Sequence, residues 1–329
     1  MIQKTCLGNG ITMGFFFILL CSGNLQAQEK PAMYFTDCSS GKPIAKDPKV
    51  IYFKGKHWMY YSIPGKEGGG WRIGIAQSNN LTDWQKVGEL TKAATYEQNG
   101  LCAPGALVRG DTVHLFYQTY GNGPKDAICH AYSTDGVHFT RDNTNPIFKP
   151  TGDWNNGRAI DAEVHFYKNQ YFLFFATRDP MGEVQMQGVA VAPKGTDFRK
   201  THWKQAYDGP ILRPTLPWEG QCIEAASVIE KDGALYMFYA GSYNNDPQQI
   251  GLAKSEDGIH WKREVQEPFL SNGSSGTWNQ SESGHPDIFK TKDGKYYLFF
   301  QGNNTSDGQS WYLSNVQLQW TKALPEIRR

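Results

Sequence analysis

Glu224-Ala-Ala-Ser-Val-Ile-Glu-Lys-Asp-Gly-Ala-Leu-Tyr-Met-Phe-Tyr239 reads as an apolar strand, a two-residue turn and an aromatic strand. Asp232-Gly233 is hairpin chemistry, because both central residues of a tight two-residue turn take a positive φ. A second hairpin follows: Ile250-Gly-Leu-Ala-Lys-Ser-Glu-Asp-Gly-Ile-His-Trp261. Together they supply four antiparallel strands. The first hairpin recurs from Asp47, Cys102, Asp161 and His285, with turns at Lys54-Gly55, Gly110-Asp111, Lys168-Asn169 and Asp293-Gly294. The second recurs with closing aromatics Trp84, Phe139, Phe198 and Trp320, so that the whole unit repeats about every 60 residues. Four-stranded units repeated radially make a β-propeller. The expected fold is therefore all-β, a five-bladed β-propeller with four antiparallel strands per blade, in one domain over residues 47–329. No segment carries a long 3.6-residue periodicity, so helices should be few.

The chain has 329 residues, with 33 Lys and Arg against 32 Asp and Glu. That balance removes the electrostatic basis for nucleic-acid binding. Residues 1–27 read as a secretory signal peptide: Lys4, then an apolar run from Ile11 to Gly23, then Leu25-Gln26-Ala27 as the cleavage region. The run is about 13 residues, short of the roughly 20 that span a membrane. The protein is expected to be exported, periplasmic or secreted. Residues 28–46 are a leader expected to cap the first blade. Cys38, Cys102, Cys129 and Cys222 remain after cleavage, and export permits disulfides. Buried free thiols are the favoured reading, with pairing left open.

In a propeller each first strand lines the central channel. Counting back eight residues from each first-hairpin turn reaches Asp47, Cys102, Asp161, Glu224 and His285. These five are expected to form a ring at one mouth of the channel. Three acids and a histidine in one ring are costly unless solvated or used. Glu163, two residues beyond Asp161 on the same strand face, competes with it as the inward carboxylate. Carboxylates facing each other across a narrow, partly dry channel suit glycoside hydrolysis, where one must be ionised and another must hold its proton.

At these residues the chain resembles glycoside hydrolase family 43 and its five-bladed relatives, the arabinanases, β-xylosidases and galactosidases. Lys46-Asp47-Pro48-Lys49-Val50 resembles the family's general-base segment. Gly157-Arg158-Ala159-Ile160-Asp161 resembles the segment carrying the aspartate that tunes the acid. Ile223-Glu224-Ala225-Ala226 stands where the family keeps its general-acid glutamate, with Ala-Ala in place of the usual Gly-Pro. Ser283-Gly284-His285 resembles a blade 5 Gly-His that in several members helps hold a central metal ion or water cluster. The resemblance implies hydrolysis with inversion. Asp47 would deprotonate water, Glu224 would protonate the departing oxygen, and Asp161 would raise and orient Glu224. It also implies a carbohydrate of plant or algal origin as partner, no required cofactor, and a place for calcium or another cation in the central channel, held through His285 by way of water.

Polar loops at the same mouth carry Trp71, Trp154, Trp218 and Trp278, flat faces suited to sugar stacking. Arg158, Arg178, Trp71, Trp218, Trp278 and His285 are the candidate substrate contacts. Phosphorolysis is disfavoured because the ring carries acids and no Lys or Arg. Two rivals stand beside the main reading: an anhydro-galactosidase-type hydrolase with His285 as acid, and a sugar-binding propeller without catalysis.

Overall fold

The computed structural model describes residues 31–66, 69–305, 310–321 and 324–328. The signal-peptide reading of residues 1–27 lies outside them. Twenty strands form five sheets of four, each antiparallel and in sequential order. The blades occupy residues 46–90, 101–141, 160–205, 223–263 and 282–327. Among the described residues there is no α-helix, only short 3-10 turns, and no helix is long and apolar enough to cross a membrane.

The hairpin turns carry the expected backbone. Lys54 and Gly55, Lys168 and Asn169, and Asp232 and Gly233 all have positive φ, which matches the twist of the flanking strands. Blade 5 differs: Lys290 pairs with Tyr296, so its turn is a five-residue loop closed by Thr291 N–H on the Lys295 carbonyl. The second strand of every blade is buried on both faces, which explains its unbroken aromatic runs rather than alternation. Tyr60, Phe116, Phe174, Phe238 and Phe299 from these strands are fully buried. Their side chains feed five apolar cores, one in each seam between neighbouring blades.

The seam between blades 5 and 1 also takes in the leader. Phe35 N–H bonds the Leu313 carbonyl at 2.9 Å, Ile44 bridges to Trp311, and Asp37 accepts a hydrogen bond from Tyr61. The leader therefore closes the ring against the last blade as well as the first. Cys102, Cys129 and Cys222 are free and buried, whereas Cys38 is disulfide-bonded, which corrects the free-thiol expectation at that residue.

Two seams contain a device that the repeat pattern does not reveal. Glu219 is fully buried and accepts Arg263 Nε at 2.6 Å, Tyr239 hydroxyl at 2.7 Å and Thr215 N–H at 2.8 Å. Glu97 makes the same set with Arg141, Tyr117 and Ala93. Removing one member of such a pair leaves an uncompensated buried charge. Glu219→Ala is expected to lose about 3–5 kcal/mol of stability, measured by thermal or denaturant unfolding. A loss below about 1 kcal/mol, the worth of an exposed pair, would overturn this.

Candidate active site

The first strands Lys46–Phe53, Leu101–Arg109, Ile160–Tyr167, Ile223–Lys231 and Glu282–Lys290 surround the channel. Each carries a β-bulge at the same level. The bulge opens on a residue with positive φ: Asp47 (53°), Ala103 (47°), Asp161 (53°), Ala225 (51°) and His285 (43°). None of these is glycine, so the backbone stores strain at the site. Three of the five bulges are held from the preceding blade. Gln301 Oε1 accepts Asp47 N–H, Ser62 Oγ accepts Ala103 N–H, and Gln118 Oε1 accepts Asp161 N–H, each at 2.8 Å.

The bulge corrects the expected ring. Its members are Asp47, Ala103, Asp161, Ala225 and His285, and Cys102 and Glu224 stand one residue earlier. The eight-residue interval runs from the second turn residue in blades 1 and 3 but from the first in blades 2 and 4, which sets Cys102 and Glu224 one place before the ring. The bulge itself still turns Cys102 and Glu224 toward the mouth. Asp47, Asp161, Glu224 and His285 all line one pocket of about 200 Å³, together with Lys46, Trp71, Tyr120, Arg158, Arg178, Gln185, Tyr243 and Asn244.

His285 occupies the centre. Its Nδ1 lies 3.0 Å from Asp47 Oδ1 and its Nε2 lies 3.1 Å from Glu224 Oε1. Burial alone would strip its proton, but the Asp47 charge and then the Glu224 hydrogen bond and charge raise it to about 10. It is an imidazolium at neutral pH, donating to both carboxylates. Glu224 also accepts N–H groups from Gln185 and, at 2.7 Å, from Gln248. Burial pushes Glu224 up, yet the His285 hydrogen bond and charge, then the Gln248 hydrogen bond and the Lys46 charge, hold it down at about 2. Asp161 is the raised carboxyl. Burial and the neighbouring Glu224 charge push it up to about 7, and its buried Oδ2 has no hydrogen-bond partner. The expected order, Glu224 raised by Asp161, is thus reversed in the free protein. The reason is donor geometry: three N–H groups converge on Glu224, whereas no side-chain donor reaches Asp161 Oδ2.

One layer deeper the channel is plugged. Lys49 Nζ lies 2.6 Å from Glu163 and 3.0 Å from Asp287, and Ser227 Oγ donates to Asp287 at 3.2 Å. Glu163 is therefore a structural partner and Asp161 the carboxylate that faces the pocket. Gly105 completes this layer, since a Cβ there would meet the Ala162 carbonyl at 2.0 Å. A cavity of about 30 Å³ between the two layers has room for a water.

A cation at the channel centre fits these residues poorly. Asp161, Glu224 and His285 each offer a ligand atom within 4.8 Å of the others. Both nitrogens of His285 are already engaged, however, and the imidazolium and the Lys49 ammonium place positive charge at two successive levels. Calcium wants about six to eight oxygens, and two carboxylates converge here.

Of the aromatic candidates, Trp71 lines the pocket and packs edge-on to Tyr120 with ring centroids 6.1 Å apart. Trp218 and Trp278 do not line it, which corrects their placement. Trp218 stacks on Tyr239 and donates to the Gln266 carbonyl, and Trp278 packs against Tyr34 and Phe300. Both clamp loops onto blades, as does Trp154 against the core between blades 2 and 3. Arg158 and Arg178 do face the pocket, with Lys46. Asp179, beside Arg178, caps its own turn by accepting Glu183 N–H. The ring itself carries no Lys or Arg, as expected, but the pocket wall around it carries three. Gln185, Gln248, Tyr243 and Asn244 escaped sequence reasoning because they arrive from third strands and connecting loops, where no repeat marks them.

Residues 40–319 match the model for Glycosyl hydrolases family 43. The chain is 26% identical over 154 residues to a xylosidase/arabinosidase from Bacteroides ovatus, covering 46% of this chain and 38% of that protein. It is 26% identical over 141 residues to the extracellular endo-alpha-(1->5)-L-arabinanase 1 of Bacillus subtilis (strain 168), covering 40% of each. It thus spans about two-fifths of the length of these relatives. Among solved structures, a thermostable family-43 glycoside hydrolase superposes with a TM-score of 0.69 at 19% identity, covering 87% of this chain and 93% of that one. An alpha-L-arabinofuranosidase from Lactobacillus brevis gives 0.67 at 15% identity, covering 86% and 93%. At those identities the structures speak to the fold, while the family match runs through all five blades and every bulge residue of the ring: this chain belongs to glycosyl hydrolase family 43.

Proposed function

We propose that this protein is an exported glycoside hydrolase that cleaves glycosidic bonds in plant or algal polysaccharide or oligosaccharide with inversion. The observation that carries the reading is His285 held between Asp47 and Glu224, with Asp161 beside them in one pocket. The imidazole and its two hydrogen bonds hold the outer carboxyls apart by more than a ring's width. This suits the roughly 6.5–9.5 Å that an inverting enzyme leaves for its water. Asp47 takes a proton from water as the water oxygen bonds to the anomeric carbon. Glu224 delivers a proton to the leaving oxygen as the old bond breaks.

Glu224 is ionised at rest, so its proton comes from His285 Nε2 across the 3.1 Å bond. His285 Nδ1 keeps its own proton toward Asp47 throughout, so after product leaves the proton on Asp47 passes to solvent water and the emptied Nε2 takes one back from water, which restores both groups. Asp161, pushed up to about 7 and with a free oxygen, is placed to bond a sugar hydroxyl. The same proton store supports a second reading, in which His285 itself is the acid. The test is direct: proton NMR of the first-formed product from a panel of aryl glycosides and plant glycans. The anomer opposite to the substrate is expected, and retention or absence of any cleavage would sink the reading.

No metal is needed in this scheme. Treatment with a chelator is expected to leave kcat and Tm unchanged. A loss restored by calcium would show that an ion replaces the imidazolium.

A further inference from the structure

Two guanidinium groups converge in the pocket without an anion between them. Arg158 Nη1 and Arg178 Nε both donate to one neutral acceptor, Gln185 Oε1, at 3.2 and 3.1 Å. Arg178 has one further contact, Nη1 to the Gly182 carbonyl at 3.4 Å, and lies over the Tyr243 ring at 5.4 Å. Arg158 Nε is buried without a hydrogen bond, 3.6 Å from Asp126 Oδ2. Lys46, buried across the pocket, donates to Asn244 and sits 4.9 Å over Trp311, with Glu224 and Glu282 acting on it only at longer range. Four cations line this pocket, His285 included, against three acids, of which Asp161 is pushed toward neutrality; Arg158 is paired from behind with Asp126 at 3.6 Å, which leaves Arg178 and Lys46 as the cations with no carboxylate at ion-pair distance among the described residues.

Like charges that share a neutral acceptor in a half-dry pocket repel unless a ligand supplies the negative charge. The planar fork of arginine matches a carboxylate or sulfate in bidentate fashion. We propose that the substrate is an acidic glycan, bearing a carboxylate or sulfate on a sugar unit next to the cleaved bond and held by Arg158 and Arg178. This deepens the hydrolase reading and rests on it for the cleaved bond. Gln185 fixes the location: its oxygen receives both arginines and its amide donates to Glu224. The anion therefore sits on the leaving-oxygen side. An attacking phosphate would enter from the opposite, Asp47 side, which disfavours phosphorolysis.

The experiment measures Kd and kcat/KM for glucuronate-substituted xylo-oligosaccharides, oligogalacturonides and sulfated galactan oligosaccharides. The same glycans after carboxyl reduction or desulfation serve as controls. At least one acidic glycan is expected to bind ten-fold or more tightly than its neutralised form, with affinity falling as salt rises. Arg178→Met should abolish that preference, so that the acidic and neutralised forms bind alike, and Arg178→Lys should restore part of it. Arg158→Met, with a melting curve to check folding, should behave alike. Equal binding of acidic and neutral forms, or a preference that survives both arginine variants, overturns the proposal while leaving the hydrolase reading intact. Acidic glycans that bind but are never cleaved leave the anion site standing and remove the hydrolase. Cleavage that requires inorganic phosphate and yields a sugar phosphate would assign the site to phosphate and overturn the acidic-glycan proposal.

Discussion

Glu224→Gln is expected to lower kcat by about 100- to 10,000-fold on substrates with sugar or alkyl leaving groups, with oligosaccharide Kd changed only a few-fold. The amide keeps the shape and one acceptor oxygen but has no acidic proton. Gln185 and Gln248 both donate to this side chain, so the variant leaves one of them facing an N–H group. A modest loss of stability should accompany the loss of turnover. The diagnostic readout is the leaving group. A nitrophenolate departs with little protonation, so the deficit should shrink sharply on nitrophenyl glycosides. A lesion that only misplaced the sugar would cost all leaving groups alike. If Glu224→Gln stays within about three-fold of the parent while His285→Gln acquires the leaving-group dependence, histidine is the acid. If Glu224→Gln keeps sugar affinity and the parent never turned over, the propeller is a binding module.

The fold was legible because its local signals were redundant. Each blade repeats a two-residue turn between an apolar and an aromatic strand, and the positive φ at Lys54, Lys168 and Asp232 is what their turn chemistry requires. The site was legible to within one residue. Asp47, Asp161 and His285 occupy one ring. Glu224 stands one residue before that ring, and lines the pocket because the bulge after it redirects the strand. A bulge leaves no mark in an apolar strand, so no pattern of residues could place it. Charge state was the least legible property. The proton balance between Asp161 and Glu224 depends on His285 and on Gln248, and Gln248 reaches Glu224 from a connecting loop that no repeat marks. Trp218 and Trp278 show the complementary limit: a tryptophan on a polar loop looks the same in sequence whether it faces sugar or clamps its own loop.

His285→Gln is expected to be the most damaging substitution to stability at the site, and its pH dependence identifies the cause. The imidazolium is buried between Asp47 and Glu224. Removing it leaves two buried carboxylates facing each other, a change worth about 3–5 kcal/mol when one partner of a buried pair is lost. In the parent, the His285 pKa rises from 6.5 to about 10 on folding, so its stabilisation is complete below pH 6.5 and is lost as pH rises through 10. Glu224 falls from 4.5 to about 2, so its contribution is complete above pH 4.5 and is lost as pH falls toward 2. The gap in unfolding free energy between parent and variant should therefore be widest between about pH 4.5 and 6.5 and should close at both extremes. A gap that is flat across this range would mean that the ring matters by shape alone. Asp47→Asn in the His285→Gln background supplies the control, because it removes one of the facing charges without restoring the ring. Recovery of stability in that double variant requires that electrostatic repulsion, and not lost packing, was the damage. Turnover should stay low in it, since neither the base nor the proton donor to Glu224 would remain.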